Sequence, residues 1–249
     1  MKDNGNYLSF DIFPENVINL YTKNVYNFRH TALDKEFIDN EFRRLEKEID
    51  YEFGNKVFPI QTHSTNIAIV NEDNINDIFD DCDGVITNLK NVALGTISAD
   101  CQCILLYDKK NQVIGSIHSG WKGTRNKIIV NAINMMIDSF NSDPKDIICC
   151  IAPSIGKCCF EVDEDFNNDF INIFGDKYST MGDIVDGKQK YYIDTLSINK
   201  DILLDLGVDE NNIYISDICT KCNKDTYHSY RGIGIDTGRG LALICMRGE

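Results

Sequence analysis

Proline is scarce in this chain, with four in 249 residues, and no stretch is rich in Pro, Gly or Ser. A flexible two-domain hinge is therefore not expected, and residues 1–249 read as a single domain. Positive charge is also in deficit: Lys plus Arg number 25 against 39 Asp plus Glu, a net charge of −14. That balance argues against nonspecific binding to nucleic acid or to an anionic membrane surface, although a local basic pocket for phosphate stays compatible with it. No run approaches the roughly 18 apolar residues of a membrane span. Met1–Tyr7 is polar, with no apolar run and cleavage site, which predicts no secretory signal and a cytoplasmic protein. The ten cysteines are too sparse for a disulfide scaffold. The vicinal pairs Cys149–Cys150 and Cys158–Cys159 fit free thiols, most of the ten being expected as small buried apolar residues.

What is present is an alternation of strand and helix patterns, 43% hydrophobic overall, which implies one α/β (α+β) domain. Phe37, Phe42, Leu45, Ile49 and Phe53 recur at helical steps and predict a helix from Phe37 to Phe53. Lys56–Val70 reads as extended, interrupted by Gln61–Ser64, and Asp83-Gly84 as a turn leading into Val85–Thr87. Val92–Ile97, Cys101–Tyr107 and Val113–His118 read as strands, with Asp108–Gln112 as a polar turn. One amphipathic helix is predicted from Thr124 to Phe140, ended by Asp143-Pro144. Ile147–Ile151 reads as a buried strand, Glu161–Phe174 and Thr195–Leu206 as helices, and Asn212–Ser216 and Leu241–Met246 as strands. Gly207 is placed to end the helix before it.

Histidine numbers only four: His30, His63, His118 and His228. If Asp108 faces Val113 across the turn, His118 lies opposite Cys103, with Cys101 one diagonal step away on the same face. Diagonal neighbours sit roughly 7–8 Å apart, within side-chain reach of a shared metal. The loop Gln61–Ser64 is a source for a third ligand, His63. His63, Cys101 and His118 would suit zinc with one open position for water, whose pKa zinc lowers towards about 7. Asp100, beside the thiol, is a candidate to accept or deliver protons. Two other readings use the same residues: a buried thiol beside a satisfied strand-end histidine, or a nucleophilic dyad in which His118 activates Cys101. Cys219-x-x-Cys222 is half of a structural zinc site without a second CxxC half, and reads more simply as unliganded. Gly234–Gly240 with Arg239, and Arg231 nearby, is a loop type that cradles anions, or a plain turn. Lys122 offers phosphate binding or a solvated surface charge. Trp121, the only tryptophan, offers ring stacking or core packing.

Taken together, several ordered motifs resemble the laccase-domain family, also called YfiH-like or polyphenol-oxidase-type. They are Gln61-Thr62-His63-Ser64, Asp83-Gly84 with Thr87-Asn88, Ser98-Ala99-Asp100-Cys101, His118 through Gly123, Pro153 through Val162, Asp194, Cys219-Thr220 through Arg231, and Thr237-Gly238-Arg239. The resemblance runs from about Phe37 onward. It implies a layered domain of mixed β-sheets flanked by helices, akin to certain cysteine-hydrolase toxins. It implies zinc bound by His63, Cys101 and His118, with copper as the alternative. Arg29 is the nearest candidate for a pocket arginine that the family draws from its N-terminal part. The stretch Val25–Asp34 lacks the family's Gly-Gly-Val-Ser and Asn-Leu segments, and Ser64 stands where glycine is usual.

The activity implied is on small molecules, namely purine nucleosides and phosphate. It comprises phosphorolysis of adenosine, inosine, guanosine and methylthioadenosine, a transferase reaction, and deamination of adenosine, a hydrolase reaction. Catalytic roles then fall to Asp100, Cys101 and His118, and phosphate contacts to Arg29, Lys122, Arg231 and Arg239. The family's older label is a copper-dependent polyphenol oxidase. A multicopper architecture takes on the order of ten histidines, given copper's preference for imidazole, and this chain has four. Hydrolytic editing of peptidoglycan precursors by a Cys101–His118 dyad and a noncatalytic protein with structural zinc remain as further readings. The sequence does not define an oligomeric state.

Overall fold

The computed structural model describes residues 1–29 and 35–248. His30 and the later part of the Val25–Asp34 stretch lie outside the described residues. In chain order the first strands are β1 (Lys2–Asp3), β2 (Tyr7–Ser9), β3 (Val17–Thr22), β4 (Asn55–Val57) and β5 (Ile67–Ile69). The central ones are β6 (Gly84–Thr87), β7 (Val92–Ser98), β8 (Gln102–Asp108), β9 (Val113–Ser119) and β10 (Ile147–Ile151). Then come β11 (Glu161–Asp163), β12 (Ser179–Val185), β13 (Lys188–Ile193), β14 (Ile213–Ile215) and β15 (Gly240–Met246). The α-helices are α1 (Lys35–Ile49), α2 (Trp121–Arg125), α3 (Ile128–Phe140), α4 (Glu164–Phe174), α5 (Thr195–Asp205) and α6 (Tyr230–Ile233).

Among the described residues these strands form three sheets, in the orders β1-β2-β3-β15-β7-β4, β14-β10-β8-β9-β6-β5 and β11-β13-β12. The two large sheets are mixed: β4 with β7, β5 with β6 and β10 with β14 run parallel, and the other pairs antiparallel.

Strand period explains the layering. In β8, Cys103, Leu105 and Tyr107 share a core with Leu94, Ala242 and Ile244 of the first sheet, whereas Ile104 and Leu106 pack with Ile129, Ile133 and Leu203 of α3 and α5. In β15, Ala242 and Ile244 face the second sheet, whereas Leu241, Leu243 and Cys245 join Phe42 and Leu45 of α1. Both large sheets are thus covered on two faces. This is why their central strands read as near-continuous apolar runs rather than alternations. The third sheet and α4 build a smaller core around Phe160, Phe170 and Ile198.

Burial accounts for most of the cysteines. Cys82, Cys103, Cys149, Cys150 and Cys245 are buried, and burial pushes the thiols of Cys103 and Cys245 up to about 11 and about 12.

Several boundaries differ from the sequence reading. The helix expected from Phe37 to Phe53 stops at Ile49, where Asp50 turns left-handed at φ 51°. Phe53 reaches the same core after the turn, and Phe37 lies on the solvent side. The single helix expected from Thr124 to Phe140 is two, α2 and α3, broken where Lys127 adopts φ 58°. The apolar face begins at Ile128, after the break, and Thr124–Lys127 adds no apolar residue to it, so periodicity could not mark where one helix ends and the next begins. Glu161–Asp163 pairs with β13 before α4 begins. The hairpin β12–β13 was not anticipated, although its Asp186-Gly187 turn, both residues at positive φ, is the signal such hairpins carry.

Candidate metal centre and cavity

The hairpin β8–β9 sets the first half of the site. Asp108 pairs with Val113 and Cys103 with His118, as the short turn requires. Cys101 sits just before β8, on the face that His118 shares. The second half is the loop Gln61–Ser64. Gln61 ties it to β7 through two hydrogen bonds, its Nε2 donating to the Ile97 carbonyl and its Oε1 accepting from the Ile97 N–H, both 2.8 Å. His63, at φ 62°, is thereby turned towards the hairpin. One ligand atom from each of His63, Cys101 and His118 lies within 4.8 Å of the others. The Cys101 Sγ stands 3.8 Å from His63 Nε2. Tetrahedral zinc with bonds of about 2.3 Å to sulfur and about 2.05 Å to nitrogen sets that separation at about 3.6 Å. The residues fit the ion.

Two further residues close the site. Asp83, fully buried, accepts from His118 Nδ1 at 2.7 Å, from the backbone N–H groups of Thr62, His63 and Ser64, and from the Ser64 hydroxyl. One carboxylate therefore orients the His118 ring and moulds the His63 loop, an outer-shell role typical of metal-bound imidazoles. Sequence reading took Asp83 as a turn residue only. Gly120 is the other: a Cβ there would stand 2.7 Å from His63 Cδ2 and 3.1 Å from Cys101 Sγ, so any side chain would crowd two of the ligands.

The electrostatics follow from this packing. Burial works to raise the Asp83 carboxyl, but the hydrogen bond and charge of His118 and the donors of Ser64 outweigh it, and the group is held low. Burial likewise opposes charge on Cys101 and His118. Their mutual attraction, with His63 beside the thiol and Asp83 beside the imidazole, wins in both cases. Cys101 is drawn below the ordinary thiol range and His118 above the ordinary imidazole range.

The three side chains stand in the wall of a cavity of about 570 Å³. Asp100, Trp121, Phe160, Tyr230, Arg231 and Arg239 also line it. Asp100 occupies φ 89°, a conformation non-glycine residues rarely adopt. Its carboxylate is gripped by the Thr220 hydroxyl at 2.7 Å and the Arg231 backbone N–H at 2.6 Å. The Arg231 guanidinium lies over the Phe160 ring and donates to the Glu161 carbonyl. Arg239 donates to the carbonyls of Thr237 and Gly238, and burial, followed by the charge of Arg29, lowers its pKa. Trp121 lines the cavity with one side and meets Phe166 edge-on at 5.0 Å.

Two expected phosphate contacts stand elsewhere. Arg29 and Lys122 are not among the described residues lining the cavity. Arg29 is exposed and donates to the carbonyls of Ile235 and Thr237, bracing the loop that carries Arg239. Lys122 is exposed on α2, its ammonium 5.6 Å from the Trp121 ring centroid.

The family model described as multi-copper polyphenol oxidoreductase laccase matches residues 22–247. The chain belongs to this YfiH-like laccase family. It is similar to a purine nucleoside phosphorylase of Bacteroides thetaiotaomicron, 31% identical over 195 residues, covering 76% of this chain and 72% of that one. It is also similar to the purine nucleoside phosphorylase YlmD of Staphylococcus aureus, 30% identical over 232 residues, covering 90% and 86%. Among solved structures, YlmD of Geobacillus stearothermophilus superposes with a TM-score of 0.85 at 24% identity, covering 100% of this chain and 98% of that one. YfiH of Bacillus licheniformis gives 0.82 at 24%, covering 93% of each. These two establish the family's fold for this chain. Within the family's frame the His63–Cys101–His118 group is the possible metal site at the cavity. Among the described residues no helix is long and apolar enough to cross a membrane.

Proposed function

We propose that this chain is a zinc-dependent purine nucleoside enzyme of the cytoplasm, working as one domain on small molecules. It cleaves adenosine, inosine, guanosine and methylthioadenosine by phosphorolysis and deaminates adenosine. The carrying observation is the convergence of His63, Cys101 and His118 on a cavity that also holds aromatic rings and arginines. The names of its relatives, purine nucleoside phosphorylases, point the same way. A volume of about 570 Å³ is in the range that encloses a drug-sized ligand.

His63, Cys101 and His118 would hold the zinc, which supplies Lewis acidity at neutral pH. Asp83 fixes the His118 tautomer, so that Nδ1 is committed and Nε2 is turned to the ligand group. Trp121, Phe160 and Tyr230 flank the purine. Arg231 and Arg239 offset the charge of phosphate as it approaches the ribose C1′. Asp100, held by Thr220 and by the Arg231 N–H beside Cys101, moves the proton that the purine gains on departure in phosphorolysis, or that passes from the attacking water to the leaving amine in deamination. Arg29 and Lys122 are not assigned to phosphate, because they stand outside the cavity wall.

The test is turnover of adenosine by zinc-loaded protein, with and without phosphate. Phosphate-dependent release of adenine with ribose 1-phosphate, together with phosphate-independent inosine, is the expected result. Full turnover in metal-stripped His118→Ala protein would overturn the reading.

A second reading has one observation in its favour. Asp83, His118 and Cys101 line up as acid, imidazole and thiol, and the thiol is drawn towards its thiolate. Such a group would hydrolyse an amide, as in editing of peptidoglycan precursors. It requires activity that survives chelation and is abolished by alkylation of Cys101.

A further inference from the structure

A second group of cysteines meets outside the cavity. Cys158 and Cys159 lie in the turn between β10 and β11, and Cys219 and Cys222 in the loop after β14. The two segments are joined by a parallel bridge between Ser154 and Cys219, reinforced by the Thr220 N–H donating to the Ser154 carbonyl at 3.0 Å. All four Sγ atoms lie within 4.8 Å of one another. Cys159 and Cys222 are 3.4 Å apart, and Cys158 and Cys222 3.7 Å. None of the four is in a disulfide.

Those separations have a chemical meaning. Four thiolates around one tetrahedral zinc, at about 2.3 Å each, stand about 3.8 Å from one another. The Gly156 N–H donates to Cys219 Sγ at 3.3 Å, the outer-shell hydrogen bond that a charged thiolate calls for. A Cβ on Gly156 would meet Cys158 Sγ and Cys219 Cβ at 3.4 Å, so glycine lets the turn close round the sulfurs. Cys158 and Cys222 are exposed, which gives an ion a way in.

We propose that Cys158, Cys159, Cys219 and Cys222 form a second metal site, a closed four-thiolate zinc site. Binding releases the thiol protons to solvent and changes no oxidation state. With four protein ligands it has no position for water or substrate, which makes it structural. It also answers for the missing half of the Cys219-x-x-Cys222 motif: the partner is the vicinal pair, some sixty residues earlier. The site has a reach beyond its own loops. Thr220, between two ligands, donates to Asp100, and Ile155, beside Gly156, donates its N–H to the Asp100 carbonyl at 2.8 Å. The ion therefore clamps the two segments that hold Asp100 in its left-handed conformation.

The experiment is zinc and iron analysis of full-length protein purified under reducing conditions. Wild type, His118→Ala and the double variant Cys158→Ser/Cys222→Ser are compared. Wild type is expected to carry about two zinc ions per chain and each variant to lose about one. Cobalt substituted into His118→Ala protein, with all four cysteines intact, is expected to show the charge-transfer and ligand-field bands of tetrahedral four-sulfur ligation. This second measurement stands even if the cysteine variant does not fold. His118→Ala protein free of metal, iron in place of zinc, or a Cys159–Cys222 disulfide in the purified chain would each overturn the proposal. None of these results depends on nucleoside turnover, so failure here is separable from failure of the enzyme reading.

Discussion

The two cysteine-bearing centres differ in how they are completed. At the cavity, three side chains from a hairpin and a distant loop converge, and the remaining direction opens onto space for a ligand. At the loop centre four thiols meet, enough to fill every position of a tetrahedral ion. The supports differ as well. The cavity group leans on one buried carboxylate, Asp83, and the loop group on a backbone N–H from Gly156. An open centre needs its ligands held by something other than the ion, because the ion must also accommodate substrate. A closed centre can let the ion do the holding.

This contrast can be broken at several points. The largest effect is expected from His118→Ala, which removes one of the three side chains proposed to hold the ion at the open centre. Zinc at the cavity and nucleoside turnover should both fall to background, while the circular dichroism spectrum stays native. Next is Asp83→Asn, which keeps the shape but loses the charge that orients His118 and the His63 loop. Outer-shell losses of this kind weaken metal binding roughly 10–100-fold, measurable by competition with a chromophoric chelator. Gly120→Ala should follow, because the new Cβ presses on His63 and Cys101. A weakening of about tenfold is expected in the same titration. Cys222→Ser tests the other side of the contrast. It should lower the melting temperature and reduce its dependence on chelator to what the cavity ion contributes, with a smaller effect on turnover than any change at the cavity.

The smallest effect lies outside both centres. His228 is buried, its Nε2 2.7 Å from the Tyr26 carbonyl, and burial lowers its pKa below the ordinary imidazole value. The folded chain therefore keeps His228 neutral while the unfolded chain takes up a proton near pH 6.5. Its contribution to stability is complete above about pH 6.5 and declines as pH falls from there towards the folded-state pKa. Because His118, whose pKa is raised, acts in the opposite sense over this range, the readout is the difference between proteins: in denaturant unfolding from pH 7.5 to 5.5, wild type should lose more stability, or gain less, than His228→Gln.

The parts of the site that were legible in the sequence are those fixed by local geometry. A short polar turn sets the β8–β9 register, so the pairing of His118 with Cys103 followed from counting. Cys103, the residue opposite His118 in that count, has its thiol in the core between the sheets, one layer deeper than Cys101. The position of His63 was beyond local reading. It depends on Asp83, some twenty residues away, and the turn pattern Asp-Gly concealed that carboxylate's role. The joining of the two cysteine pairs was hidden for a like reason, since a single bridge between distant loops leaves no periodic trace. For the fold, the apolar run Ile147–Ile151 marked a buried strand, whereas the break at Lys127 interrupts no hydrophobic pattern.

The placement of β15 has a consequence for biosynthesis. It is the last of the described strands, yet it sits in the middle of the first sheet, with β3 on one side and β7 on the other. As the ribosome makes the chain from its N-terminus, the β1–β3 meander and β7 emerge early with no partner between them. Their facing edges, and the apolar side chains that β15 later covers, must wait until Gly240–Met246 has been made. Stalled synthesis before Gly240 should therefore leave two half-sheets with open edges ready to pair with the wrong neighbour.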